Sequence, residues 1–200
     1  MYFNRKCKIT FICHGATIYS EEGRFSDAEN YPPLSELGIE EMEAINKYLK
    51  ARGVKNDVIY TSNSVRTVQS AMMVAKLFRK DYVIVDELKT RQCGKWNGLT
   101  FSQIEKAYPG GFEKILSEPD KKTVAVISRI KKVIDELVAQ NIGNRIIIVT
   151  HPEVIQAAIC AALDIPADKL PKIFIRTGSA TQISYFEGWS SLVYSDYVPI

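Results

Sequence analysis

Long apolar runs are missing from this chain. No stretch of about 18 uncharged, apolar residues occurs in it, so no membrane-spanning helix is expected. The opening MYFNRKCKITFIC has too short an apolar run, and no small-residue cleavage pattern, for a signal peptide. Cysteine is sparse: Cys7, Cys13, Cys93 and Cys160 stand far apart without a C-x-x-C pair. That argues against a secreted disulfide scaffold and for a cytoplasmic protein. A dominant charge is missing too. Against 23 Asp plus Glu, 26 Lys plus Arg leave a net +3, with the basic residues scattered, so neither nucleic acid nor a membrane surface is an expected partner. Internal repeats and low-complexity tracts are also absent.

What is present fits one globular domain spanning residues 1–200, with 46% hydrophobic and 24% charged positions. A chain of this length buries roughly 70% of its unfolded surface, so a core needs no metal or disulfide. Short apolar runs rich in β-branched residues alternate with stretches of helical period. Ile9–Cys13, Val58–Thr61, Tyr82–Val85 and Arg145–Thr150 read as buried strands. Ser35–Lys50 reads as a helix with Leu37, Met42, Ile45 and Leu49 on one side and Gly53 as its stop. Ser64–Phe78, Thr123–Val138 and Glu153–Leu163 read as further helices. The order predicts an α/β fold, a three-layer α/β/α arrangement around a mostly parallel sheet. Ile173–Arg176, Thr181–Phe186 and Leu192–Tyr194 read as terminal strands with a hairpin. Residues 89–122, with Cys-Gly, Asn-Gly, Pro-Gly-Gly and one short helical piece at Phe101–Tyr108, read as a cap-like excursion off the sheet.

Only two histidines occur, His14 and His151, and each directly follows an apolar strand, ITFIC and RIIIVT. In a parallel sheet, ligands bind beyond the carboxyl ends of the strands, so both imidazoles are expected in one crevice if their strands are neighbours. Gly15 is expected to let the backbone approach a bound group, and Ala16 and Thr17 to offer amides and a hydroxyl to phosphate. Arg66 falls in the first turn of the helix after VIYTS, where a guanidinium can fork two phosphoryl oxygens. Tyr19 and Phe25 are placed to shape the pocket for an organic group. Met42, Met72 and Met73 are expected in the core.

These elements together resemble the histidine phosphatase superfamily, the phosphoglycerate mutase-like family, over nearly the whole chain. The resemblance is carried by Cys13-His14-Gly15-Ala16-Thr17, Gly23-Arg24-Phe25, Pro33-Leu34-Ser35-Glu36-Leu37-Gly38, Thr61-Ser62 with Arg66-Thr67 and Gln69-Ser70-Ala71, Gly94-Lys95-Trp96-Asn97-Gly98 and Val149-Thr150-His151. It implies a phosphoglycerate mutase-like fold. It also implies a phosphatase acting on a phosphorylated small molecule without metal or other cofactor. His14 would be the nucleophile that forms a phosphohistidine, with Arg66 and His151 opposing the transition-state charge.

Two positions depart from the family pattern. Cys13 stands where an arginine precedes the first histidine, and a thiol cannot make that bidentate contact, a loss of about a hundredfold by analogy with an oxyanion donor. Thr90 stands where many members carry the glutamate that protonates the leaving group, a step worth roughly a hundred- to ten-thousandfold. Glu87 and Glu153 are the candidate replacement acids, and Arg91 the candidate replacement cation. Phosphatase activity at a reduced rate is therefore the expected function. The alternatives are a degenerate member that binds phospho-ligands or a protein partner without turnover, and a phosphoglycerate mutase.

Overall fold

A computed structural model of the chain describes residues 5–26, 32–110 and 121–199. Its strands are β1 (Arg5–Cys13), β2 (Val58–Thr61), β3 (Tyr82–Ile84), β4 (Arg145–Thr150), β5 (Ala180–Phe186) and β6 (Ser190–Tyr197). Its helices are α1 (Ile18–Glu21), α2 (Glu36–Ala51), α3 (Val65–Phe78), α4 (Phe101–Ala107), α5 (Lys121–Gln140) and α6 (Pro152–Ala162). Among the described residues the strands form one six-stranded sheet, in the order β3-β2-β4-β1-β5-β6. The first four strands in that order run parallel; β5 is antiparallel to β1, and β6 to β5.

Both faces of the sheet are covered, which is why its inner strands read as unbroken apolar runs. Ile9 and Phe11 of β1 share one cluster with Ile130 and Ile134 of α5 and Ile155 of α6. Ile12, on the opposite face because strand side chains alternate, shares another with Met42, Ile45 and Leu49 of α2 and Val74 of α3. Each such fully buried side chain contributes about 1.5–3 kcal/mol. The result is the expected three-layer α/β/α fold. No helix among the described residues is long and apolar enough to cross a membrane.

Three local expectations are corrected. Leu37 is exposed, and Gly38 takes its place on the buried stripe of α2, beside Met42, Ile45 and Leu49. Met72 is likewise exposed, one position off the face that α3 turns inward. Ile173–Arg176 is not a strand, because side chains rather than a ladder take up its backbone groups. Gln156 Nε2 donates to the Ile173 carbonyl (2.5 Å), and the Arg176 amide donates to Asp196 Oδ1 (2.7 Å). The excursion after residue 89 contains a 3-10 turn at Gly94–Trp96 and the short α4, and its stretch 111–120 lies outside the described residues. It returns against the loop after α1, where the Phe25 amide donates to the Leu99 carbonyl (2.9 Å) and the Gly98 amide to the Phe25 carbonyl (2.8 Å).

Candidate active site

The register of the sheet builds the site. β1 and β4 lie side by side with Cys13 opposite Thr150, so the next residues, His14 and His151, emerge together at the carboxyl end. Their ring centroids are 5.4 Å apart, with the planes at 70°. β2 flanks β4 on the other side, with Thr61 opposite Val149, and α3 begins four residues later, which brings Arg66 in its first turn to the same place. His14, Arg66 and His151 line one cavity of about 420 Å³.

His14 is held by four hydrogen bonds. Its amide donates to the Thr150 carbonyl (2.9 Å), and its carbonyl accepts from the Gly178 amide (3.0 Å). On the ring, Nδ1 meets the Gly15 carbonyl at 2.8 Å, and Arg66 Nε meets Nε2 at 3.2 Å. A carbonyl only accepts and a guanidinium only donates, so these contacts assign the tautomer: the proton is on Nδ1, and Nε2 presents a lone pair. Burial, and then the Arg66 charge, lower the His14 pKa to about 3, against a smaller upward pull from the bond to Gly15. The imidazole is therefore neutral at physiological pH.

His151 also has its pKa lowered well below the ordinary histidine value, by burial first and then by Arg66. Its Nε2 lies 3.0 Å from Ser62 Oγ and 3.4 Å from Ser64 Oγ. Its buried Nδ1 has no hydrogen-bond partner among the described residues. His151 is also the N-cap of α6, with Pro152 at the first helical position, and Ser64 is the N-cap of α3. The N-terminus of α6 thus faces the cavity, adding partial positive charge to that of Arg66.

Residues 9–196 match the profile of the histidine phosphatase superfamily, branch 1. The chain belongs to this superfamily. It is 24% identical over 169 residues to phosphoserine phosphatase 1 of Hydrogenobacter thermophilus, a match covering 81% of this chain and 79% of that protein. It is 25% identical over 192 residues to a bifunctional protein of Mycobacterium tuberculosis, covering 93% of this chain and 52% of that one, so it spans about half of that relative's length. The solved structure of a mycobacterial glucosyl-3-phosphoglycerate phosphatase in complex with VO3 has the same fold, with a TM-score of 0.84 at 23% identity over 94% of this chain and 98% of that one.

Within this histidine phosphatase fold, the first-loop expectation is corrected. The amides after His14 are not free. Gly15 N donates to Ser70 Oγ (3.1 Å), Ala16 N to Glu41 Oε2 (2.7 Å) and Thr17 N to Ser20 Oγ (2.7 Å), while Thr17 Oγ1 accepts from Ser20 N (3.3 Å) as the cap of α1. Gly15 is needed for a different reason than approach to a ligand: a Cβ there would sit 2.3 Å from the Gly38 carbonyl oxygen. The loop packs against α2, and its amides are taken up by side chains of α1, α2 and α3.

The substituted positions fall in different places. Cys13 is fully buried within the core cluster that includes Phe11 and Val154, and is not part of the cavity lining. Burial raises its thiol pKa, so it is no nucleophile at neutral pH. Thr90 does line the cavity, and its hydroxyl donates to Glu153 Oε2 (2.9 Å). The Arg91 amide donates to the same oxygen (2.9 Å), and Arg91 Nε pairs with Glu153 Oε1 (2.5 Å). Of the two candidate carboxylates, Glu153 therefore meets Thr90. The other does not: Glu87 is exposed on the 3-10 turn Asp86–Leu88, outside the lining. Arg91 also reaches the cavity, where it pairs with Glu153. Phe25, Pro152, Leu170 and Pro171 form an apolar wall, while Tyr19 is not in the lining.

Sequence reasoning passed over Glu41. Its signal was a carboxylate three residues after Gly38, next to the buried stripe of α2, where a charge is costly unless it is satisfied.

Proposed function

We propose that this chain is a phosphomonoesterase that needs no metal and works through a phosphohistidine at His14. The observation that carries the reading is the neutral His14 ring, with its proton on Nδ1 and its Nε2 lone pair beside Arg66 in a cavity. Nε2 attacks phosphorus while the ester P–O bond breaks. Water then cleaves the N–P bond, releasing phosphate and free His14. Arg66 shifts from Nε2 to the transferring oxygens, and His151 donates from Nδ1 when Ser62 donates to its Nε2. The helix N-terminus at His151 supports the same anion.

Glu153 is the proton-transfer group. Its two oxygens already accept from Thr90 and Arg91, an arrangement suited to taking a proton from the attacking water in the second step. Protonating an alkoxide in the first step is the poorer fit, so esters with acidic leaving groups, such as aryl or acyl phosphates, are favoured over alkyl phosphates. The apolar wall fits an organic group of that kind. Residues 89–110 serve as a cap over the cavity, because they supply Thr90, Arg91 and Cys93 to its lining. The substrate class, a phosphorylated small molecule, agrees with the names of the phosphoserine and glucosyl-3-phosphoglycerate phosphatases to which the chain is similar.

A second reading, binding of phospho-ligands without turnover, is favoured by the absence of a guanidinium at Cys13. Hydrolysis of p-nitrophenyl phosphate in the presence of a chelator separates the two. The enzyme reading expects turnover that disappears in His14→Ala, together with an acid-labile phosphoryl adduct on the wild-type protein. Vanadate binding with no turnover and no adduct would replace it with the second reading.

A further inference from the structure

Glu41 does not line the cavity, yet its carboxylate reaches both sides of the His14 backbone. Oε2 accepts from the Ala16 amide (2.7 Å), and Oε1 accepts from the Thr177 hydroxyl (2.9 Å). The Ala16 N–H belongs to the same peptide group as the Gly15 carbonyl, and that carbonyl accepts the Nδ1 proton of His14 at 2.8 Å. Carboxylate and imidazole are therefore bonded to opposite ends of one planar amide. On the other side, Thr177 precedes Gly178, whose amide donates to the His14 carbonyl (3.0 Å).

An amide bonded at both ends is polarised along its length. A negative charge at the N–H increases the electron density on the C=O, and each bond of such a chain strengthens its neighbour by about 10–30%. The partners of an imidazole's second nitrogen fix its tautomer and raise the basicity of the first, as the outer partners of metal-bound histidines do. Close packing keeps this chain of bonds in line. A Cβ on Gly15 would sit 2.3 Å from the Gly38 carbonyl oxygen, and one on Gly178, whose φ is +58°, would sit 2.5 Å from Glu41 Cβ. A side chain is thus excluded at both positions, and loop and turn pack directly on α2.

We propose that Glu41 is a positioning residue for His14, acting through the Gly15–Ala16 peptide to hold the proton on Nδ1 and the Nε2 lone pair toward the phosphoryl group. Its importance for turnover rests on His14 being the nucleophile. Its effect on the His14 tautomer does not, so the two can fail separately.

The test is carried out on the full chain with ¹⁵N-labelled histidine. In the wild type, the His14 Nδ1–H resonance is expected well downfield and slow to exchange. Glu41→Gln keeps an acceptor for Ala16 but removes the charge. It is expected to move that resonance upfield and to slow single-turnover phosphorylation from an aryl phosphate roughly ten- to a hundredfold, with KM nearly unchanged. Thr177→Val, which frees Oε1, is expected to move both readouts the same way by less, and it serves if Glu41→Gln does not fold. An unchanged resonance and phosphorylation rate in a folded variant of either kind would overturn the proposal. A shifted resonance in a protein whose hydrolysis is indifferent to His14→Ala would leave Glu41 as the tautomer's anchor and overturn the function instead.

Discussion

Replacing His14 with Asn removes one of two buried imidazoles that stay neutral, and the change is readable in how stability depends on pH. The His14 pKa is lowered from 6.5 to about 3, by burial and then by Arg66. Between those two values the unfolded chain binds a proton that the folded chain refuses. Stability therefore rises with pH across this window and falls on acidification below 6.5. Each pH unit of acidification costs about 1.4 kcal/mol for one such group. At about pH 4.5 the His14 share alone is roughly 3 kcal/mol, and His151, lowered in the same direction, adds a second loss. Carboxylates also titrate in this range, but they are common to both proteins and drop out of the difference. Asn is chosen because its side-chain amide retains a donor for the Gly15 carbonyl. Urea unfolding at fixed ionic strength, from about pH 7.5 to about pH 4.5, is expected to show the wild type losing stability faster than His14→Asn by close to one proton's worth of slope. A difference that stays flat across the window would refute a neutral, buried His14 and the nucleophile argument built on it.

Two further outcomes follow from the geometry. Glu153→Gln should slow hydrolysis of the His14 phosphoryl adduct by roughly a hundred- to ten-thousandfold, and single-turnover transfer from an aryl phosphate far less, because a phenolate leaves without a proton. An unchanged rate of adduct hydrolysis would remove Glu153 from proton transfer. Gly38→Ala sets helix propensity, worth up to about 1 kcal/mol in favour of Ala, against a Cβ 2.0 Å from the Ala16 carbonyl oxygen. Backbone overpacking costs about 1–3 kcal/mol or more. The clash is expected to win, lowering both Tm and turnover, since Ala16 lies two residues from His14; a rise in Tm would contradict the packing of the loop against α2.

Much of the sheet was legible because its inner strands are buried on both faces. Val58–Thr61 and Arg145–Thr150 have the bounds read from the sequence, since apolar runs of that length leave few alternatives. β1 began earlier than read, at Arg5, because its edge carries Lys6 and Lys8 among the apolar residues. Leu37 and Met72 were misassigned for a related reason: a period of 3.6 fixes the stripe only to within one position. The terminal piece Ile173–Arg176 has strand-forming residues, but Gln156 and Asp196 claim its backbone.

The sequence by itself determined the alternation of strands and helices, the placing of the two histidines directly after buried strands, and Arg66 in a first helical turn. All of these are local patterns of apolar period and chain punctuation. Tertiary structure alone decided that β1 lies beside β4 in a register that puts His14 next to His151, and that Arg66 donates to Nε2. It also decided that the first-loop amides are already engaged, that Glu153 rather than Glu87 meets Thr90, and that Glu41 grips the peptide behind His14. The physical reason is separation along the chain. These contacts join residues from 25 to 63 positions apart or more, and a hydrogen bond is directional over about 3 Å. Its existence depends on the packing of whole layers, which no local pattern encodes.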